Sequence, residues 1–250
     1  INMNRKRWTR ILKMCTGIAA LVFIVSLGHA SAATLCVDKT GANGCYTTIQ
    51  LAVNNASAGD VINVEPGLYL EGTSLSVQKS VTIVSVAGPE KTKIEGSSVG
   101  VSVGTNSTVN VKGFTISGAT QGVYMHAGSL TLENNIIVGI GSHGIFCNAP
   151  SNNVYYVCDI RNNTILSSGG EGIYSDECGY YCSPTIKLYN NIILDTVNLN
   201  SDSETCIYNT ITGAILNVSC ASTQTADPLF IPSNYCAVQS ASPSIDAGSP

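Results

Sequence analysis

From Val61 onward, apolar and polar residues alternate in short runs. Val-Ile-Asn-Val (61–64), Val-Thr-Ile-Val-Ser (81–85), Ser-Thr-Val-Asn-Val-Lys (107–112) and Ser-Leu-Thr-Leu-Glu (129–133) all place every second residue on one side. That period predicts β-strands, each with one face turned to a core. The runs are short, rich in β-branched residues and broken by Gly or Asn, and no helical periodicity occurs between Val61 and Thr225. One segment upstream differs. In Thr47-Thr-Ile-Gln-Leu-Ala-Val-Asn-Asn-Ala56, residues Ile49, Ala52 and Val53 share a helical face, which predicts a short amphipathic helix over 47–57. The run from Asp60 to Leu70 then alternates like a strand and turns at Pro66-Gly67.

Aligning the runs exposes a repeat. Val111-Lys-Gly-Phe-Thr-Ile116, Leu132-Glu-Asn-Asn-Ile-Ile137, Ile160-Arg-Asn-Asn-Thr-Ile165, Leu188-Tyr-Asn-Asn-Ile-Ile193 and Tyr208-Asn-Thr-Ile211 fall in one register, their closing isoleucines 21, 28, 28 and 18 residues apart. A second element, Gly122-Val-Tyr124, Gly144-Ile-Phe146 and Gly172-Ile-Tyr174, follows six or seven residues after the first three of these isoleucines. Two elements locked in phase at this period signal a solenoid, in which each repeat buries its apolar side against its neighbours. With strands as the unit, the fold class is all-β: a single-stranded parallel β-helix. Asn134, Asn162 and Asn190 share a column with Gly113, so the position demands a left-handed bend. Asn135, Asn163, Asn191 and Asn209 are expected to stack beside it at the strand spacing of about 4.8 Å and to hydrogen-bond from rung to rung. An open solenoid needs covered ends, and the 47–57 helix is expected to cap the first coil. No linker divides the chain after residue 32, so one domain over 33–250 is expected, with coils over 60–225 and a closing segment over 226–250.

Charge changes this picture at the start of the chain. Five basic residues lie between Asn4 and Lys13, a mostly apolar run follows to Gly28, and Ala30-Ser31-Ala32 precedes Ala33. This is the order of a secretory signal, with Met3 as its start and cleavage after Ala32. The apolar run is shorter than the ~20 residues a spanning helix needs, so no membrane span is expected in the mature chain. Without Arg5, Lys6, Arg7, Arg10 and Lys13, seven basic residues face sixteen acidic ones, a net charge near −9. Nucleic acid is excluded as a partner, because its phosphates are held by Lys and Arg. The expected location is secreted, periplasmic or at the cell surface.

Nine cysteines follow the leader, and in an exported chain they read as disulfides rather than zinc ligands. Sequence neighbours pair Cys36 with Cys45, Cys147 with Cys158, Cys178 with Cys182 and Cys206 with Cys220, although spacing alone leaves the connectivity open. Cys236 is left over, and its partner is expected beyond Pro250, where the closing motif breaks off.

The stretch TIQLAVNNASAGDVINVEPGLYLEG (48–72), followed by KSVTIVS, resembles the N-terminal region of secreted right-handed parallel β-helix proteins of the pectin-lyase-like superfamily. The NNTI…GI repeats are similar to its generic coil. Ala226-Asp-Pro-Leu-Phe230 with Ser242-Pro-Ser-Ile-Asp-Ala-Gly248 resembles the closing segment of bacterial choice-of-anchor Q proteins. The resemblance implies the fold and is weak for activity, since one fold hosts lyases, hydrolases, esterases, epimerases and binders. Pectin methylesterases are similar at GLYLEG, but their Gln-Asp and paired-aspartate signatures have no counterpart here. Ser142-His143-Gly144 without an Asp-Asp pair departs from the family 28 polygalacturonases. Pectate lyases imply calcium held by acidic ligands and an arginine base. Arg161 is the single arginine after the leader, with no evident acidic cluster around it. A copper-associated periplasmic β-helix is disfavoured, because only His126, His143 and Met125 remain as His or Met in the mature chain.

Alternation assigns the outward columns. Lys112, Glu133, Arg161 and Tyr189 form one, and Asn110, Thr131, Asp159 and Lys187 the next, setting Glu133 beside Arg161 and Asp159 beside Lys187. This is expected to be a surface ion ladder, or a patch in which Arg161 neutralises or deprotonates a uronic acid. On the glycine-led strands Tyr124, Phe146 and Tyr174 face outward in consecutive rungs, with His126, Asn148 and Asp176 beside them. In related lyases this sheet lines the sugar cleft. Aromatic faces bury the apolar faces of sugar rings while polar neighbours bind hydroxyls, so these six are the candidate substrate-binding residues, with stiffening of the sheet as the plainer role. The turn before places His143 near Glu171, a possible general acid and base. Two insertions, NAPSNNVYYV and SDECGYYCSPT, leave the same edge, each with a Tyr-Tyr pair expected to be exposed and held by its disulfide.

The sequence therefore describes an exported β-helix that interacts with an extracellular or cell-wall polysaccharide. An enzymatic reading, a polysaccharide lyase or glycoside hydrolase, predicts a charged cluster drawn from Arg161, His143, Glu171 and Asp176, with calcium as cofactor if a lyase. The alternative is a non-catalytic surface or adhesive module, which the scarcity of charge favours. No other cofactor is evident.

Overall fold

The computed structural model describes residues 31–148, 155–176, 183–200, 203–223, 230–231 and 234–238. The leader, Cys178 and Cys182, most of the 226–248 segment and the tips of both insertions lie outside these residues.

Three parallel sheets form the solenoid, and the chain visits them in turn. One coil runs Gly128–Glu133 in the first sheet, Ile136–Ile140 in the second and Ile145–Asn148 in the third. The next coil repeats the course with Tyr155–Arg161, Thr164–Ser168 and Ile173–Ser175. Among the described residues the first sheet has eight strands and the other two have seven each. Phe230–Ile231 and Asn234–Val238 stand apart as an antiparallel pair.

The core is built by vertical stacking. Ile94, Ile116, Ile137, Ile165, Ile193 and Ile211 are all buried in the second sheet, facing Val101, Val123, Ile145, Ile173 and Val197 of the third. The isoleucines aligned in the sequence are thus a continuous buried column, each worth about 1.5–3 kcal/mol of apolar burial. Gly122, Gly144 and Gly172 open the third-sheet strands for want of space. A Cβ on Gly122 would lie 2.3 Å from the Gly144 carbonyl oxygen, and one on Gly144 would lie 2.6 Å from that of Gly172.

The corner between the first and second sheets explains the paired asparagines. Gly113, Asn134, Asn162, Asn190 and Tyr208 occupy it with φ of 79°, 54°, 57°, 55° and 56°. The next asparagine turns inward. Asn163 Oδ1 accepts from the Asn135 backbone N–H (2.9 Å) and Nδ2 (3.1 Å), while its own Nδ2 donates to Leu132 and Arg161 carbonyls. Asn191 and Asn209 extend the ladder, and Asn135 Oδ1 closes it on the Phe114 N–H. All four amides are buried, so the satisfied hydrogen bonds offset desolvation.

The short helix Ile49–Asn55 buries Ile49, Ala52 and Val53 against the first coil. Thr48 caps it through the Leu51 N–H, and the buried Glu71 carboxylate accepts from the Ile49 and Gln50 N–H groups. Burial pushes Glu71 up from its ordinary pKa, against the two N–H bonds that pull it down.

Disulfides join Cys36 to Cys45, Cys147 to Cys158 and Cys206 to Cys220. The second corrects an expectation. Cys147 and Cys158 are fully buried inward positions on consecutive strands of the third and first sheets, so the bridge closes the insertion from inside the core and not on the surface. Tyr156 is corrected with it: only 1% exposed, it lies inside the strand Tyr155–Arg161 with its hydroxyl 3.4 Å from the Cys147 carbonyl.

Candidate functional site

The glycine-led strands carry the outward aromatic column in register, Tyr124 beside Phe146 and Phe146 beside Tyr174. Alternation turns Val123, Ile145 and Ile173 inward, which leaves these three rings on the outer face. They pack against one another. Tyr124 and Phe146 meet edge to face at 5.4 Å, and Phe146 and Tyr174 tilt together at 5.1 Å. All three are half-buried, so the strip is a ridged apolar surface and not a row of open flat platforms.

His143 joins this strip. Its ring stacks on Tyr174 at 4.9 Å with planes 17° apart and meets Phe146 edge-on at 5.4 Å. His143 Nδ1 lies 2.9 Å from Glu171 Oε2, close enough for an ion pair but without the alignment of a hydrogen bond. The sequence placed His143 near Glu171 but gave no sign that it would extend the aromatic column, because the turn that carries it has no strand periodicity.

A polar rim adjoins the rings. The Tyr124 hydroxyl lies 3.0 Å from His126 Nδ1 and accepts from Asn148 Nδ2 at 2.8 Å. His126 pairs with Asn148 across the strands, and Asp176 follows directly after Ile173–Ser175, exposed to solvent. Five of the six substrate-binding candidates thus share one face, with His143 and Glu171 at its turn edge, while Asp176 lies just past the strand that carries Tyr174.

The other charged face belongs to the first sheet. Lys112, Glu133, Arg161 and Tyr189 pair in register, as do Asn110, Thr131, Asp159 and Lys187. The ion pairs differ from the expected ladder. Lys112 Nζ takes Glu133 at 3.0 Å, and Arg161 turns along its own strand to Asp159, its Nε donating at 2.9 Å. Asp159 is buried beside Arg161 and so bonds it in preference to Lys187 across the sheet. A groove of about 350 Å³ lined by Thr131, Glu133 and Arg161 and another of about 470 Å³ lined by Arg161, Lys187 and Tyr189 flank this pair. The Asp159 bond raises the Arg161 pKa, which opposes a role as a base.

Among the described residues no three of His, Cys, Asp or Glu gather to hold a metal. Met125 is fully buried and inward, and the two histidine Nδ1 atoms face a tyrosine hydroxyl and a glutamate. These residues do not fit a copper ion. No helix among them is long and apolar enough to cross a membrane.

Three parallel sheets visited in turn and a buried asparagine ladder define the class: an all-β parallel β-helix. The Escherichia coli protein YbhC shares this fold at a TM-score of 0.50 and 12% identity, over 85% of this chain and 75% of that one. A pectin methylesterase crystallised with a hexasaccharide gives a TM-score of 0.49 at 11% identity, over 76% of this chain and 68% of that one. The family described as periplasmic copper-binding protein (NosD) matches residues 53–226, and the chain belongs to it. That membership corrects the expectation that set such a family aside on its few histidines and methionines: the match runs over residues 53–226, most of the coils, whatever the count of those residues. A cell surface glycoprotein of Methanothermus fervidus is 30% identical over 193 residues, 65% of this chain. The chain spans about a third (32%) of that relative's length. Both descriptions are of proteins outside the cytoplasm, in agreement with export.

Proposed function

We propose that this NosD-family β-helix is an exported carbohydrate-recognition module that binds an extracellular or cell-wall polysaccharide on the outer face of its third sheet. The observation that carries the reading is the unbroken strip Tyr124, Phe146, Tyr174 and His143, bordered by His126, Asn148 and Asp176. Ridged aromatic surface buries the apolar faces of sugar rings, and amide, imidazole and carboxylate groups hydrogen-bond their hydroxyls. Recognition without cleavage is the form the charge distribution favours. His143 with Glu171 is the pair that acid–base chemistry would use, and Arg161 stands on a different sheet.

A second reading, a non-catalytic adhesive module, is favoured by the relative that is a cell surface glycoprotein. A glycan array separates the two. The glycan reading expects defined oligosaccharides to bind, and the Tyr124→Ala/Tyr174→Ala double variant to lose about tenfold or more in affinity while keeping its fold. Unchanged binding by that variant removes the third-sheet face; no binding to any glycan leaves the adhesive reading. Assays for new reducing ends and unsaturated uronates, with and without calcium, test cleavage separately.

A further inference from the structure

We propose that removal of the leader after Ala32 creates an α-ammonium on Ala33 that ion-pairs with the buried Asp60 carboxylate and fastens the first coil. The proposal stands apart from the glycan reading. The Ala33 backbone nitrogen already donates to Asp60 Oδ1 at 2.7 Å, and Asp60 is only 5% exposed. Asp60 Oδ2 accepts from the Ser57 N–H at 2.7 Å, just after the capping helix. The Val61 N–H in turn donates to the Ala33 carbonyl at 2.9 Å, and Thr34 pairs with Val61 in the first sheet. Asp60 therefore ties together the start of the first strand, the end of the helix and the first inner strand.

The residue that donates to this carboxylate is the one that Ala30-Ser31-Ala32 marks as the first of the mature chain. An export peptidase with water breaks the Ala32–Ala33 amide. The hydroxyl goes to the Ala32 carboxyl group, and the Ala33 nitrogen, taking the other proton and one more from solvent, becomes cationic. A neutral N–H···carboxylate bond thereby becomes a charge-assisted one, about twice as strong. Lys79, which donates to the Asn54 and Ala56 carbonyls, is the other charged group facing Asp60. The N–H bonds from Ser57 and Ala33 hold the Asp60 carboxyl below its ordinary value even before cleavage. An ammonium gaining this partner has its pKa raised above the usual ~7.7–8.0, so its contribution is complete below about pH 8 and disappears as pH rises through the raised value. Asp60, being lowered, loses its share only as pH falls below about 4.

Intact-mass measurement of the exported protein should give a chain beginning at Ala33, and any other start overturns the proposal. A chain that begins at Ala32, released from a cleavable tag, keeps the amide at Ala33 and serves as the reference. At pH 7 the Ala33 chain should melt about 2–4 °C higher than the reference, with the gap closing by about pH 10.5 and absent in Asp60→Asn. Equal melting at pH 7, or a gap that persists at pH 10.5, sinks the idea even where Asp60→Asn does not fold.

Discussion

The corner of buried asparagines and the outer face of the third sheet are both columns repeated rung by rung, yet they obey opposite rules. At the corner, four asparagines make the same bonds in every coil, because each buried amide must be satisfied and the solution is the same one rung on. On the outer face, Tyr124, Phe146 and Tyr174 vary in type and are joined by a histidine from a turn. Solvent tolerates such variation. Strict repetition therefore marks what holds the solenoid together, and variation on a fixed register marks what it presents.

The largest effect should come from the corner. Asn163→Ala strips partners from Asn135 N–H, Leu132 C=O and Asn191 Oδ1 together, and a loss of about 3 kcal/mol or more is expected in denaturant unfolding. A loss under 1 kcal/mol would break the contrast between the two columns. Gly144→Val should rank next, at about 2–3 kcal/mol, because its side chain enters the space of the Gly172 carbonyl. Removing the core bridge with the Cys147→Ala/Cys158→Ala pair opens an 11-residue separation and should lower stability by about 2–3 kcal/mol.

Smaller effects sharpen the comparison from the side of the exposed and titrating groups. Tyr69 is buried with its hydroxyl on the Glu65 carbonyl, and burial pushes its pKa up to about 12. An unfolded tyrosine ionises near 10, so the fold loses stability as pH rises from about 10 to 12. Tyr156 is shifted the same way, mainly by burial, so Tyr69→Phe should flatten that decline only in part, as read from unfolding midpoints across this range. Arg161→Ala should change stability least, by less than about 1 kcal/mol in the same unfolding assay, since its side chain is 45% exposed and water screens its Asp159 bond.

Most of the fold was legible because the period was. The isoleucine column, the inward asparagines and both outward columns of the first sheet follow from alternation once the repeats are in register. Tyr156 was not legible, because an insertion of unknown course hides where the strand resumes, and a Tyr-Tyr pair inside a polar run reads as surface. The ion pairing was half legible. Register placed Asp159 next to Lys187, but the buried carboxylate found Arg161 two residues along its own strand.

The sequence by itself determined the solenoid, the register of its aligned repeats and the outward side of those repeats, since a period of two inside a longer repeat leaves one way to bury the apolar side. Only the tertiary structure decided that His143 joins the aromatic strip, that Cys147 and Cys158 are bridged inside the core, and that Asp60 waits on Ala33. Those contacts join turns, insertions and chain starts, where no periodicity fixes direction and only packing brings distant residues together.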